Sequence, residues 1–92
     1  GPAYVFLFAE ALIEGAVFEG LSRELATELT AQTLLGAARM IAESGKSPAD
    51  LRAAVTSPGG TTARGLARLE QGGVRASVAD AVSAAAERSR EL

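Results

Sequence analysis

The sequence predicts an all-α domain that completes its hydrophobic core with a second copy of itself. Three observations carry this reading. Apolar residues recur at three- and four-residue spacing, and no alternating strand pattern competes with them. The texture is rich in Ala and poor in Val, with Gly clusters as punctuation. Finally, 48% of the 92 residues are apolar although the chain has no cysteine and so no disulfide staple. A chain of this size hides only about 60–65% of the surface its unfolded form exposes, which leaves it marginal alone.

The first helix opens at Gly1-Pro2, with Pro well placed in a first turn, and runs through Tyr4, Val5, Phe6, Leu7, Phe8, Leu12, Ile13, Ala16 and Val17 to Gly20. From Val5 to Phe8 its apolar residues cover every side, so it must be buried on more than one face. In so small a chain the second cover is expected from a partner subunit. Ser22 is the N-cap of the second helix, with Glu24 near the positive end of its dipole. Leu25, Leu29, Thr33, Gly36, Ala37, Met40 and Ile41 form its core-facing stripe, and Gly45 is its left-handed stop. Thr33, Gly36 and Ala37 are small enough for close approach of another helix, either within one subunit or from a second.

Ser47-Pro48-Ala49-Asp50 starts a third, short helix, with Ser as cap, Pro in the first turn and Asp50 in the capping-box position. Pro58 pushes Ser57 away from helical angles, which ends that helix before the loop. Thr61 or Thr62 is expected to cap a fourth helix, Ala63 to Gln71, closed by Gly72-Gly73. A fifth runs from Val74 to about Arg90 with Val74, Val78, Val82 and Ala85 on one face. No linker, repeat or low-complexity tract divides residues 1–92, which read as a single domain.

Composition excludes several functions. Nine Lys plus Arg against eleven Asp plus Glu leave a net charge of −2, the wrong sign for tracking nucleic-acid phosphates. With no His and no Cys there is no ordinary zinc site, thiol nucleophile or imidazole base, and no metal is expected. No apolar run is long enough for a membrane span, and Ala3 to Ala9 lacks the basic leader and cleavage site of a signal peptide. A cytoplasmic location follows as the expectation.

One stretch holds more than a connection needs: Val55-Thr56-Ser57-Pro58-Gly59-Gly60-Thr61-Thr62. Two glycines let the backbone approach a ligand, and unpaired amides at the following helix start attract an anion. Ser57, Thr61 and Thr62 add hydroxyls that can donate to a carboxylate or accept from an iminium N–H. No Gly-Lys-Ser/Thr follows, so the loop is not a P-loop. Taken by composition alone, the same residues also make a tight interhelical turn with a good cap.

Pro48, Leu51, Val55-Thr56-Ser57, Gly59-Gly60, Thr62, Gly65-Leu66, Leu69 and Glu70 together match a family signature, and the chain resembles the C-terminal dimerisation domain of pyrroline-5-carboxylate reductase. The opening Gly1-Pro2-Ala3-Tyr4, the stretch Ala31-Gln32-Thr33 with Gly36-Ala37-Ala38, and the ending Glu87 to Leu92 extend the likeness over the whole chain. The resemblance implies a bundle of about five helices, intertwined with a second subunit in the manner of the C-terminal domain of 6-phosphogluconate dehydrogenase. It implies reduction of 1-pyrroline-5-carboxylate to L-proline with NAD(P)H in proline biosynthesis. The carboxylate of substrate or product would be held by Ser57, Gly59, Gly60, Thr61 and Thr62, chiefly through the amides of Gly60, Thr61 and Thr62. Thr62 would be catalytic, its hydroxyl lying near the ring nitrogen, and Gly1 and Pro2 would lie near the nicotinamide.

The resemblance also implies an N-terminal Rossmann cofactor domain, which has no counterpart in these 92 residues, so the chain alone is expected to be inactive. Higher assemblies of dimers occur in the family. The chain departs from the family at Ala53, where many members carry an acid, so any bracing by that acid is expected to be lost or moved. Glu10 and Glu14, one turn apart, read as a solvated edge or an interface ion pair before a metal pair. Arg64 and Arg68 either steer an anion or form a solvated face paired with Glu70. Alternating charges from Glu87 to Glu91 mark an exposed helix end. A reading from another class, a non-catalytic homodimerisation module, shares the packing pattern and lacks the upstream cofactor domain.

Overall fold

The computed structural model describes residues Gly1–Leu92 as five α-helices with no strand. They are α1 (Pro2–Phe18), α2 (Arg23–Ser44), α3 (Pro48–Ala54), α4 (Thr61–Gln71) and α5 (Val74–Glu91). They fall into two compact units, Gly1–Leu51 and Arg52–Leu92.

In the first unit, Pro2 opens α1 where its missing N–H costs nothing. The helix ends on Gly20, whose φ of 112° is open to glycine. The Gly20 N–H donates to the Val17 carbonyl at 3.0 Å and the Leu21 N–H to the Ala16 carbonyl at 3.1 Å. This double closure satisfies the last carbonyls and turns the chain at once into α2. Ser22 then caps α2 from an extended backbone, its Oγ accepting the Leu25 N–H at 3.1 Å, with Glu24 in the first turn. Gly45, at φ 72°, ends the helix as expected.

α1 packs along α2. Ala9, Ile13, Ala16 and Val17 of α1 and Leu34 of α2 are half-buried. Only Ala26 and Thr30 are buried outright. The larger side chains stay in water: Phe6 is 66% exposed, Leu7 67% and Phe18 87%. On one flank of the pair, Leu12, Ala16 and Leu21 border an open cleft of about 200 Å³ opposite Ala26, Leu29, Thr30 and Thr33. The small patch continues at Gly36, where a Cβ would meet no atom within 4 Å. Within this chain, therefore, no second helix fills that patch. Each large apolar side chain left in water would gain about 1.5–3 kcal/mol if fully covered, so the first unit carries a large unsatisfied drive to associate.

In the chain segment that leads to the second unit, Ser47 caps α3, accepting the Asp50 N–H at 3.1 Å, with Pro48 in the first turn. The expected threonine cap on α4 is not what forms. Gly60 is the N-cap, in an extended conformation (φ −81°, ψ 179°), and no side chain caps it. Thr61 and Thr62 lie one position further in, inside the first turn, because the Gly59-Gly60 bend brings Gly60 into line with the helix. Gly73, at φ 78°, is the N-cap of α5. Along α5, Val78 and Val82 are each 54% exposed, so most of the predicted valine face is also uncovered in the chain. No helix is long and apolar enough to cross a membrane.

Candidate functional site

The loop before α4 is built from a few local bonds. Thr56 sits half-buried at its start, and its Oγ1 donates to the Arg52 carbonyl at 2.6 Å, tying the loop to the last turn of α3. The Thr56 N–H reaches the Ala53 carbonyl at 3.3 Å. A brace therefore exists beside Ala53 without an acid at that position. Nothing in the linear pattern marked Thr56 for this part; the available signal was a threonine four residues after Arg52, in reach of a helix-end carbonyl.

Pro58 and Gly59 then turn the chain. Gly59 has φ 71°, a conformation that side-chain-bearing residues rarely adopt. The Gly60 N–H donates to the Ser57 carbonyl at 3.1 Å and closes the turn. A Cβ on Gly60 would lie 2.8 Å from the Ser57 Oγ, so the serine hydroxyl is folded directly over this glycine. Ser57, Gly59 and Gly60 thus form one tight turn, and Thr61 and Thr62 follow it on the exposed first turn of α4.

The electrostatics of that helix start favour an anion. α4 has no side-chain cap and no acidic residue in its first turn. The first bond back into the helix is the Arg64 N–H to the Gly60 carbonyl, at 3.2 Å. The N–H groups of Thr61, Thr62 and Ala63 precede it and have no i−4 partner inside the helix. Together with the positive end of the helix dipole they present a donor set suited to a carboxylate. The Gly60 N–H, expected among the principal donors, is instead occupied by the Ser57 carbonyl. Ala63 supplies the third free amide, a position the sequence reading passed over because its side chain carries no chemistry.

Other expectations resolve differently. Glu70 pairs with Arg75 and not with Arg64 or Arg68. The Arg75 Nε lies 2.8 and 2.9 Å from the two Glu70 carboxylate oxygens, across the Gly72-Gly73 corner. Residues two apart on a helix point to opposite sides, so Arg68 could not reach Glu70. The hydrogen bond from Arg75 holds the Glu70 carboxyl below its ordinary value, with the Arg75 and Arg52 charges adding to the effect. The same bond raises Arg75. Glu10 and Glu14 are exposed on α1. No cluster of three or more potential metal-ligating side chains is present. Gly1 and Pro2 lie in the first unit, exposed at the start of α1.

Comparison with known proteins gives a consistent result. Residues 1–92 match the family model for pyrroline-5-carboxylate reductase dimerisation. The chain is similar to the pyrroline-5-carboxylate reductase of Arabidopsis thaliana, at 58% identity over 100% of this chain and 33% of that protein. Among solved structures it is similar to a pyrroline-5-carboxylate reductase from Coxiella burnetii, with a TM-score of 0.95 at 50% identity, covering 99% of this chain and 34% of that one. It is also similar to the Plasmodium falciparum pyrroline carboxylate reductase with NADP bound, with a TM-score of 0.93 at 46% identity, covering 97% of this chain and 34% of that one. The chain spans about one third of the length of the relatives it matches.

Proposed function

The chain belongs to the pyrroline-5-carboxylate reductase dimerisation family, and from that premise we propose that its 92 residues act as one domain that joins two subunits of the reductase and anchors the carboxylate of the substrate. The observation that carries this reading is the pairing of two features. Nearly all the large apolar side chains are uncovered, as a self-associating domain requires. A single helix start is left uncapped, with free amides and flanking hydroxyls, behind a rigid Ser-Pro-Gly-Gly turn.

In the complete enzyme the reaction is reduction of 1-pyrroline-5-carboxylate to L-proline, with NAD(P)H supplying the hydride to the C=N carbon. A protonated imine is already electrophilic, so a site without His or Cys suffices. The amides of Thr61, Thr62 and Ala63 hold the carboxylate and Ser57 borders it. The Thr62 hydroxyl orients the ring nitrogen, which enters as an iminium and leaves as an amine. We assign cofactor binding to another part of the enzyme: all five elements here are helices, and a dinucleotide grip needs a strand, a glycine-rich turn and a helix in sequence. Gly1 and Pro2 would touch the nicotinamide from the start of α1.

The test is Thr62→Val in the complete enzyme. If the hydroxyl bond strengthens as the amine forms, kcat/KM falls by about tenfold, equivalent to ~1–3 kcal/mol of transition-state stabilisation. Unchanged turnover and substrate affinity would remove Thr62 from the mechanism. The isolated 92-residue chain should oxidise no NAD(P)H with 1-pyrroline-5-carboxylate present, and measurable oxidation would overturn the assignment of the cofactor elsewhere.

A further inference from the structure

The Glu70–Arg75 pair is an odd use of charge if its purpose is to stabilise helices. Glu70 sits in the last turn of α4, where the helix dipole is negative, and Arg75 in the first turn of α5, where it is positive. Each residue is at the unfavourable end of its own helix. The reverse order would serve both dipoles, so what this order provides is the bond across the corner. That corner is tightly specified. The Gly72 N–H donates to the Arg68 carbonyl at 3.0 Å and the Gly73 N–H to the Glu70 carbonyl at 3.1 Å, and Gly73 turns the chain at φ 78°. With its side chain, Glu70 then takes Arg75 through both carboxylate oxygens.

Glu70 also feels Arg52, in the last turn of α3. Arg52 is the residue whose carbonyl accepts the Thr56 hydroxyl and so braces the first residue of the loop. Three helices of the second unit's scaffold therefore converge on one carboxylate: α4 carries it, α5 grips it and the end of α3 is drawn toward it. The loop Ser57 to Thr62 lies between α3 and α4 in the chain, so its two ends are anchored by elements that Glu70 connects.

We infer that Glu70 is a positioning residue for the substrate loop: by bridging to Arg75 across the Gly72-Gly73 corner and drawing Arg52 from α3, it holds the start of α4 where its amides can meet the carboxylate. This rests on the carboxylate-anchoring role proposed above for that helix start. Glu70 touches no reacting atom in this scheme and acts through the placement of Thr61, Thr62 and Ala63.

The experiment uses the complete reductase with four variants: Glu70→Gln, Arg75→Glu, the exchanged pair Glu70→Arg with Arg75→Glu, and Thr62→Val. It reads kcat, the KM for 1-pyrroline-5-carboxylate, the KM for NAD(P)H, the mass in solution, and amide exchange at Gly72 and Gly73. For an exposed ion pair the expected change is modest: Glu70→Gln raises the KM for the imine about threefold. The NAD(P)H KM and the mass stay unchanged, and exchange at Gly73 quickens. Arg75→Glu is worse, because two carboxylates then face each other. The exchanged pair recovers exchange protection at the corner and part of the imine KM; it remakes the bridge and suits both dipoles, but repels Arg52. An imine KM equal to wild type in Glu70→Gln, or an exchanged pair no better than Arg75→Glu alone, overturns the inference. So does equal weakening of both KM values with loss of mass, which is the signature of a merely structural role. Thr62→Val separates the two failures: if it raises the imine KM while Glu70→Gln is silent, only the positioning role is lost. If both are silent, the loop is not the carboxylate anchor and the positioning role falls with it.

Discussion

Gly59 and Gly60 are adjacent, yet each is required for a different physical reason. Gly59 has φ 71° and open space where a Cβ would stand. Gly60 has an ordinary φ, but a Cβ there would press on the Ser57 Oγ at 2.8 Å and on the Ser57 carbonyl at 3.3 Å. In the sequence the two glycines look alike, as one signal for close approach, and only the backbone angles separate them. Gly59→Ala should therefore act through backbone strain alone, costing roughly 1 kcal/mol. In a domain of this size that lowers the thermal midpoint by about 4–8 °C, readable by circular dichroism. Gly60→Ala should instead displace the Ser57 hydroxyl and weaken the grip on the carboxylate. The expected outcome is a raised KM for 1-pyrroline-5-carboxylate in the complete enzyme, beyond the effect of Gly59→Ala. Equal effects of the two substitutions on the KM would show that Ser57 has no part in binding.

Helix boundaries were legible wherever a side chain or a glycine enforces them locally. Ser22, Ser47 and Gly45 each end or begin a helix as read, because a cap needs only its own few residues. The start of α4 was misjudged by one residue for the opposite reason: no side chain decides it. Two threonines in the usual capping position give way to a glycine whose extended backbone follows from the preceding bend. The partner of Glu70 was hidden because Arg75 approaches it only after the chain has turned at Gly73. That pair makes a pH prediction at this scale. The Glu70 carboxyl titrates below its ordinary 4.5 in the folded chain, so the folded state favours the charged form. The contribution is fully present above 4.5 and is lost as pH falls through the depressed folded value. The thermal midpoint of the wild type should exceed that of Glu70→Gln at ~pH 7, and the gap should close by ~pH 3. A gap independent of pH would mean that the ion pair contributes nothing to stability.

For the molecule as a whole, the sequence disclosed the need for a partner more clearly than the surface that meets it. The ring of apolar residues on α1 shows that burial on several sides is needed, and the structure leaves Phe6, Leu7 and Phe18 in water as that ring implies. Which flank is shaped for cover follows only from α1 lying along α2, which opens the cleft between Leu12, Ala16 and Leu21 on one side and Leu29, Thr30 and Thr33 on the other. Leu29 separates association from folding. It is 48% exposed in the single chain, so a polar residue there disturbs little of the α1–α2 contact. If a second copy covers the cleft, Leu29→Glu would bury a carboxylate among Leu12, Ala16 and Leu21 with no basic side chain lining the cleft. An unpaired buried charge costs several kcal/mol, enough to dissociate a dimer of ordinary affinity. Gln32→Glu adds the same charge on the polar side of α2 and serves as the control. Light scattering should give the mass of two chains for the wild type and Gln32→Glu, and of one chain for Leu29→Glu, with the helical signal of all three retained. A wild type with the mass of one chain at micromolar concentration would refute self-association outright. A Leu29→Glu protein that keeps the mass of two would move the contact to another face of the same helices, the flank of Leu7, Phe18 and Leu35 being the next most exposed.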